Sequence, residues 1–168
     1  MNTTASMPVA HPSRAGLARR LAEQVGAAHR GLRALAPLAD LAVRLFVAAV
    51  FFKSGLTKIA TWSSTLALFE NEYAVPLLPP EIAAWLGTGV ELAFPVLLAI
   101  GLGARFSALV LFVFNIVAVI SYPDLGAVGL RDHQTWGLLL LVSLLHGPGR
   151  LSLDHLIGRH FRHHPGRR

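Results

Sequence analysis

Lys53, Glu91 and Asn115 stand inside runs of residues that are otherwise almost wholly apolar. An ammonium or carboxylate in such surroundings pairs with an opposite charge, exchanges a proton, or faces a ligand that compensates it. Glu91 follows Gly87 and Gly89 and precedes Pro95, near the middle of its segment, so its carboxylate must be protonated or paired. With the preceding segment centred near residue 48, Lys53 lies ~7 Å from the midplane at 1.5 Å per residue. Arg44 and Lys53 are nine residues apart, roughly 180° around a helix, and cannot face one neighbour. We read Lys53 as turned inward to Glu91 and Arg44 as turned toward phosphate headgroups. Lys58, at the outer end of the same segment, reaches the interface by snorkelling. The Lys53–Glu91 pair is open to two readings: a register device between two helices, or a working ionisable site. Asn115 is expected to hydrogen-bond a neighbouring helix, worth ~0.6–2 kcal/mol.

Asp124, Asp132, His133 and Trp136 fall close together. Such a cluster can take a proton or a metal such as copper; the alternative is an ordinary polar helix start. His146 ends an apolar run, where a protonated imidazole suits the helix dipole. His160 and His164 have the spacing of a helical metal pair, but a proline follows and Asp154 is the one nearby acid. The tail therefore reads as headgroup-binding, and no metal site is assigned. Arg44, Arg105 and Arg150 are expected to contact headgroups on the inner side. The chain has no cysteine, which excludes disulfides, dithiol redox chemistry and thiolate metal ligation. Lacking cysteine and an intramembrane pair of histidines, it is not expected to carry heme or an iron–sulfur cluster.

The elements that must position these groups are membrane helices. Of the 168 residues 54% are hydrophobic and 14% charged, with mean hydropathy +0.55, against roughly 25% charged residues in soluble domains. The apolar segments are residues 37–58, 82–101, 105–122 and 130–146. A bilayer needs about 20 helical residues. The fourth segment meets that only if 130–135 serve as polar outer residues. The turn between the second and third segments is so short that those helices must form an antiparallel hairpin. Residues 60–81, with Pro76, Pro79 and Pro80, are expected to cap the outer helix ends. Residues 14–35 repeat Leu17, Leu21, Val25, Ala28, Leu32 and Leu35 among arginines. They read either as an amphipathic helix on an anionic leaflet or as a solvated leader; residues 1–13 read as disordered.

The net charge of +6 is concentrated at the two ends, which places both termini in the cytosol under the positive-inside rule. The basic residues form no stripe with interleaved aromatics, so nucleic acid is not an expected partner. The sequence thus predicts an all-α, integral membrane four-helix bundle with an N-terminal amphipathic helix. Its parts are a basic leader over 1–36, a four-span domain over 37–157 and a basic, His-rich tail over 158–168.

The pattern Ser54-Gly55-Leu56-x-Lys58, the central Glu91, the turn Gly101-Leu102-x-x-Arg105 and the ending Gly147-Pro148-Gly149-x-x-Ser152-x-Asp154 together resemble the DoxX family. These are four-helix proteins of the bacterial inner membrane. The wording of residues 65–98 and the run Asn115–Asp124 are similar to the HvfX-type subgroup, found beside copper-binding peptides and their maturation enzymes. The resemblance implies a non-catalytic subunit or anchor in a redox- or copper-related maturation or export pathway. It also admits a quinone-interacting subunit of a membrane oxidoreductase, with the ring near Lys53 and Glu91 and a partner supplying electrons. A small proton-coupled transporter using Glu91 is the third reading. Expected partners are the lipid bilayer, other membrane or maturation proteins, and further copies of the chain. Any quinone or copper would come through those partners.

Overall fold

The computed structural model describes residues 14–162. The expectations for residues 1–13 and for His164 fall outside the described residues. The described residues form six helices: α1 Arg14–Ala60, α2 Trp62–Asn71, α3 Pro80–Ile100, α4 Ala104–Ser121, α5 Gly126–His146 and α6 Leu153–Arg162. The chain divides into two units, Met1–Ala36 and Pro37–Arg168. In the first, the described residues are helical, with Leu21, Val25, Leu32 and Leu35 exposed and Arg19 Nε 3.1 Å from Glu23 Oε1. The sequence suggested two elements on either side of Pro37. The structure has the single helix α1, with Pro37 inside it: a proline costs one backbone hydrogen bond and crowds the preceding turn, which strains a helix without always ending it.

In the second unit each long helix buries one narrow stripe. Along α1 it comprises Arg44, Val47, Ala48, Phe51 and Gly55, at the three- and four-residue steps of a helix face. Along α3 it is Ala84, Gly87, Thr88, Glu91, Pro95 and Leu98; along α4 it is Ala104, Ser107, Ala108, Leu111 and Asn115. Small residues recur along each stripe because helices in lipid gain by close backbone approach. Gly55 shows this directly: a Cβ there would stand 2.9 Å from Leu92 Cδ2 and 3.1 Å from Glu91 Cβ. Leu45, Phe46, Leu56, Ile59, Phe106, Val113 and Leu138 are exposed, as lipid-facing side chains would be.

Among the described residues, three helices are long and apolar enough to cross a membrane: those over Arg19–Ala60, Pro80–Ile100 and Ala104–Ser121. Helix α5 is less apolar, but it begins at Gly126 rather than residue 130, so its 21 residues extend ~31 Å. It packs along α4, which packs along α3. The α3–α4 hairpin turns through Gly101 (φ 72°) and Gly103 (φ 56°); the Leu102 N–H donates to the Leu97 carbonyl at 3.0 Å, the usual closure of a helix end. The segment expected to cap the outer ends contains α2, whose Phe69 packs with Ala83 and Ala84 of α3, flanked by Trp62, Leu66, Tyr73 and Val75.

The opposite end of the bundle is closed by a clasp that joins two of the motifs read separately in the sequence. Asp154 accepts from the backbone N–H groups of Gly103 and Ala104 at 2.9 and 3.0 Å, capping α4 from a distant part of the chain. The Asp154 N–H in turn donates to the Gly101 carbonyl at 3.0 Å. Ser152 Oγ accepts from the His155 N–H at 3.2 Å, the bond by which a serine caps a helix start. The Arg44 guanidinium enters this clasp, donating to the Leu98 carbonyl at 3.4 Å and to the Leu151 carbonyl at 2.5 Å.

Candidate functional site

The partner of Glu91 is Lys58. Lys58 Nζ lies 2.5 Å from Glu91 Oε2, with the two side chains 15% and 6% exposed. Ser54 completes the group: its hydroxyl donates to Glu91 Oε1 at 3.1 Å and accepts from Lys58 Nζ at 3.2 Å. The Thr65 hydroxyl fixes the end of α1 by donating to the Lys58 carbonyl at 2.9 Å. Both carboxylate oxygens are thereby satisfied, as a charge removed from water requires.

Three expectations are corrected here. Lys58 does not snorkel to the interface, because its ammonium is paired with Glu91. Lys53 is exposed and does not face Glu91. It lies on the side of α1 opposite Arg44, and the buried stripe that contains Arg44 leads to Ser54, Gly55 and Lys58 instead. Arg44 does not reach for headgroups: it is 1% exposed, held by the two clasp carbonyls. The signal for the correct lysine was the pair of small residues Ser54 and Gly55, since at Gly55 the helix lies tight against Glu91 and Leu92 of α3.

Asn115 bonds a neighbouring helix, as expected of it. Its amide nitrogen donates to the His133 carbonyl at 2.9 Å, and its oxygen lies 2.7 Å from His133 Nδ1. Gly137 leaves room for this, since a Cβ there would stand 3.2 Å from Asn115 Nδ2. The His133 ring meets Trp136 edge-on at 4.8 Å, and Trp136 meets Phe51 at 6.1 Å. The expected outer cluster is therefore not assembled. Asp124 and Asp132 are exposed, while His133 and Trp136, three residues apart on α5, turn into the bundle. No group of three or more His, Asp or Glu among the described residues could hold a metal ion. Arg105 and Arg150 are exposed, and the Arg105 guanidinium lies beside Gly147, where a Cβ would stand 2.8 Å from its Nε. His146 Nδ1 is 3.9 Å from Asp40 Oδ1.

Lys58, Glu91 and Ser54 line one wall of a cavity of about 360 Å³, and His133 and Trp136 also line it. The remaining surface is mainly apolar and aromatic, including Phe51, Phe69, Tyr73, Phe114 and Tyr122. Ser121 also lines the cavity; its hydroxyl is buried and has no hydrogen-bond partner among the described residues. The outer rim is pinned by the Ala74 N–H donating to the Ser121 carbonyl at 2.8 Å and by Tyr73 meeting Tyr122 edge-on at 5.0 Å. Burial pushes the Tyr73 phenol above its ordinary range, with Tyr122, Glu91 and Glu72 adding to the effect. The sequence reading missed this cavity and the parts played by Lys58, Ser54, Phe69, Tyr73 and Phe114.

An apolar space of this size with a few fixed polar groups is the usual form of a small-molecule site between helices. The ion pair supplies a hydrogen-bond donor, because Lys58 has three N–H groups and two are engaged.

The DoxX family profile matches residues 39–123, which include α3, α4 and every cavity residue named above except His133 and Trp136. The chain is 36% identical over 126 residues to an uncharacterized protein of Haemophilus influenzae, an alignment covering 70% of this chain and 82% of the relative. No solved structure matches the chain. With helices fit to cross a membrane and a match extending over half its length, this chain belongs to the DoxX family of membrane proteins.

Proposed function

We propose that the chain crosses the bacterial inner membrane four times, with both termini in the cytosol, and binds a lipophilic aromatic molecule of the quinone class between its helices. On this reading it is a quinone-interacting subunit whose electrons pass to or from a partner protein. The observation that carries the reading is the cavity of about 360 Å³, within the ~300–1,000 Å³ of small-molecule sites. Its aromatic walls suit a planar ring, and the Lys58 ammonium can donate to a ring oxygen. Its setting among apolar helices suits a ligand that arrives from lipid. The fourth span is α5, whose polar first turns would stand at the outer interface.

The test is purification from native membranes in mild detergent, followed by extraction and mass analysis of lipid-soluble molecules. A quinone in near-equal amount to the protein is expected, together with its loss in Gly87→Leu. Gly87 lines the cavity, and a Cβ there would meet the Phe114 and Phe69 side chains at an ordinary 3.6 Å, so a side chain added at this position takes up cavity space. Protein that carries no aromatic molecule, and binds none when a short-chain quinone is added, would overturn the reading.

The wording of residues 65–98 supports a second reading, an anchor for the maturation or export of a copper-binding peptide. The same purification tests it by whether such a peptide or its modifying enzymes come down with the chain.

A further inference from the structure

The hydrogen bonds behind His133 fix which of its nitrogens carries a proton, and this bears on what the cavity can hold. The Asn115 amide has one end that donates and one that accepts. Its nitrogen lies 2.9 Å from the His133 carbonyl oxygen, which can only accept, so the amide cannot be turned the other way round. Its oxygen is therefore the atom 2.7 Å from His133 Nδ1, and Nδ1 must carry the hydrogen. The neutral imidazole has one N–H, so in that form Nε2 keeps a lone pair; the side-chain hydrogen bond of this ring among the described residues is the one at Nδ1.

The cavity lining thus holds two unlike groups. Both Glu91 oxygens are occupied, by Ser54 and by Lys58, and the remaining Lys58 N–H is a donor. His133, in its neutral form, keeps an acceptor at Nε2, in a ring that meets Trp136 edge-on. A quinone has carbonyl oxygens only: they can accept from Lys58 but have no hydrogen to give to His133. A hydroquinone or phenol has a hydroxyl hydrogen to give to Nε2, and a second oxygen on the hydroquinone can accept from Lys58.

We propose that His133, held in one tautomer by Asn115, makes the cavity selective for an aromatic ring bearing a free hydroxyl, so that the hydroquinone form binds in preference to the quinone. This rests on the reading of the cavity as a small-molecule site. His133 is the residue that contacts the ligand, and Asn115 positions it.

The full-length chain in detergent is titrated without oxygen with three probes: a short-chain alkyl hydroquinone, its quinone and its dimethyl ether. Binding is followed by quenching of tryptophan fluorescence. The hydroquinone should bind about 3- to 10-fold more tightly than either of the others, the usual worth of one hydrogen bond. His133→Phe should bring the ratio to about 1. Asn115→Leu should lower the ratio several-fold while leaving the affinity for the dimethyl ether within about 2-fold, which a general loss of packing would not do. If His133→Phe does not fold, the wild-type ratio and Asn115→Leu decide. Equal affinity for all three probes, a preference for the quinone, or a ratio unmoved by both variants overturns the selectivity and leaves the cavity reading in place. If none of the three binds, both fall together.

Discussion

Lys58 Nζ stands 2.5 Å from Glu91 Oε2, joining the outer end of α1 to the middle of α3. The pair is almost wholly removed from solvent, so taking away one partner leaves an uncompensated charge, at a cost of about 3–5 kcal/mol. Glu91→Gln and Lys58→Met should each destabilise the protein by that order. The combined variant should recover most of the loss, because neither charge then remains to be compensated. Lys53→Met, on the exposed side of α1, should change stability by no more than about 0.5 kcal/mol. Thermal unfolding in detergent measures all four, and equal losses at Lys53 and Lys58 would contradict the assignment.

The clasp at the other end makes a separate prediction. Arg44 spans the Leu98 and Leu151 carbonyls with two nitrogens of one guanidinium, a reach that a single ammonium cannot reproduce. Arg44→Lys should cost about 1.5–3 kcal/mol. Asp154→Ala, which frees the Gly103 and Ala104 N–H groups, should cost about 1–2 kcal/mol, as loss of a helix cap does. The exposed Arg150→Ala serves as the control, with a change near zero.

Topology can be tested because the chain has no cysteine of its own. A cysteine placed at the exposed Leu77, between α2 and α3, should react with a membrane-impermeant maleimide in intact cells with a permeabilised outer membrane. One placed at the exposed Arg150 should react only after the inner membrane is broken. The opposite result for Arg150 would mean that α5 does not cross.

Tyr73 lies outside the spans, and its phenol is pushed up chiefly by burial. A raised phenol favours the folded state while both forms are neutral. That contribution is whole below the ordinary pKa of about 10 and is lost as pH rises through the higher folded value. In a Tyr122→Phe background, absorbance of the one remaining tyrosinate should appear with a midpoint above 10 and move down on unfolding. A midpoint at the ordinary value in the folded protein would contradict the burial at the cavity rim.

Much of the architecture was legible in the sequence because lipid imposes a one-dimensional rule. A backbone crossing it must be helical, and long apolar segments announce that without reference to their neighbours. The small residues Gly87 and Gly89 before Glu91 are local in the same sense. So was the requirement that Glu91 be compensated, which follows from its depth alone.

Which group compensates it was decided by the tertiary structure. Periodicity places Lys53 and Lys58 on different faces of α1, but which face meets α3 depends on where Gly55 lets the two helices touch, and the length of a lysine stem blurs any estimate from depth. The same holds for Arg44, whose carbonyl partners come from the ends of two other elements. It holds for His133, which the packing of α5 along α4 sets against Asn115. The sequence by itself determined that this chain belongs in a membrane and that its charges there need partners. The packing of four helices chose the partners and left a cavity between them, because contacts between distant segments depend on orientation and separation that no single segment encodes.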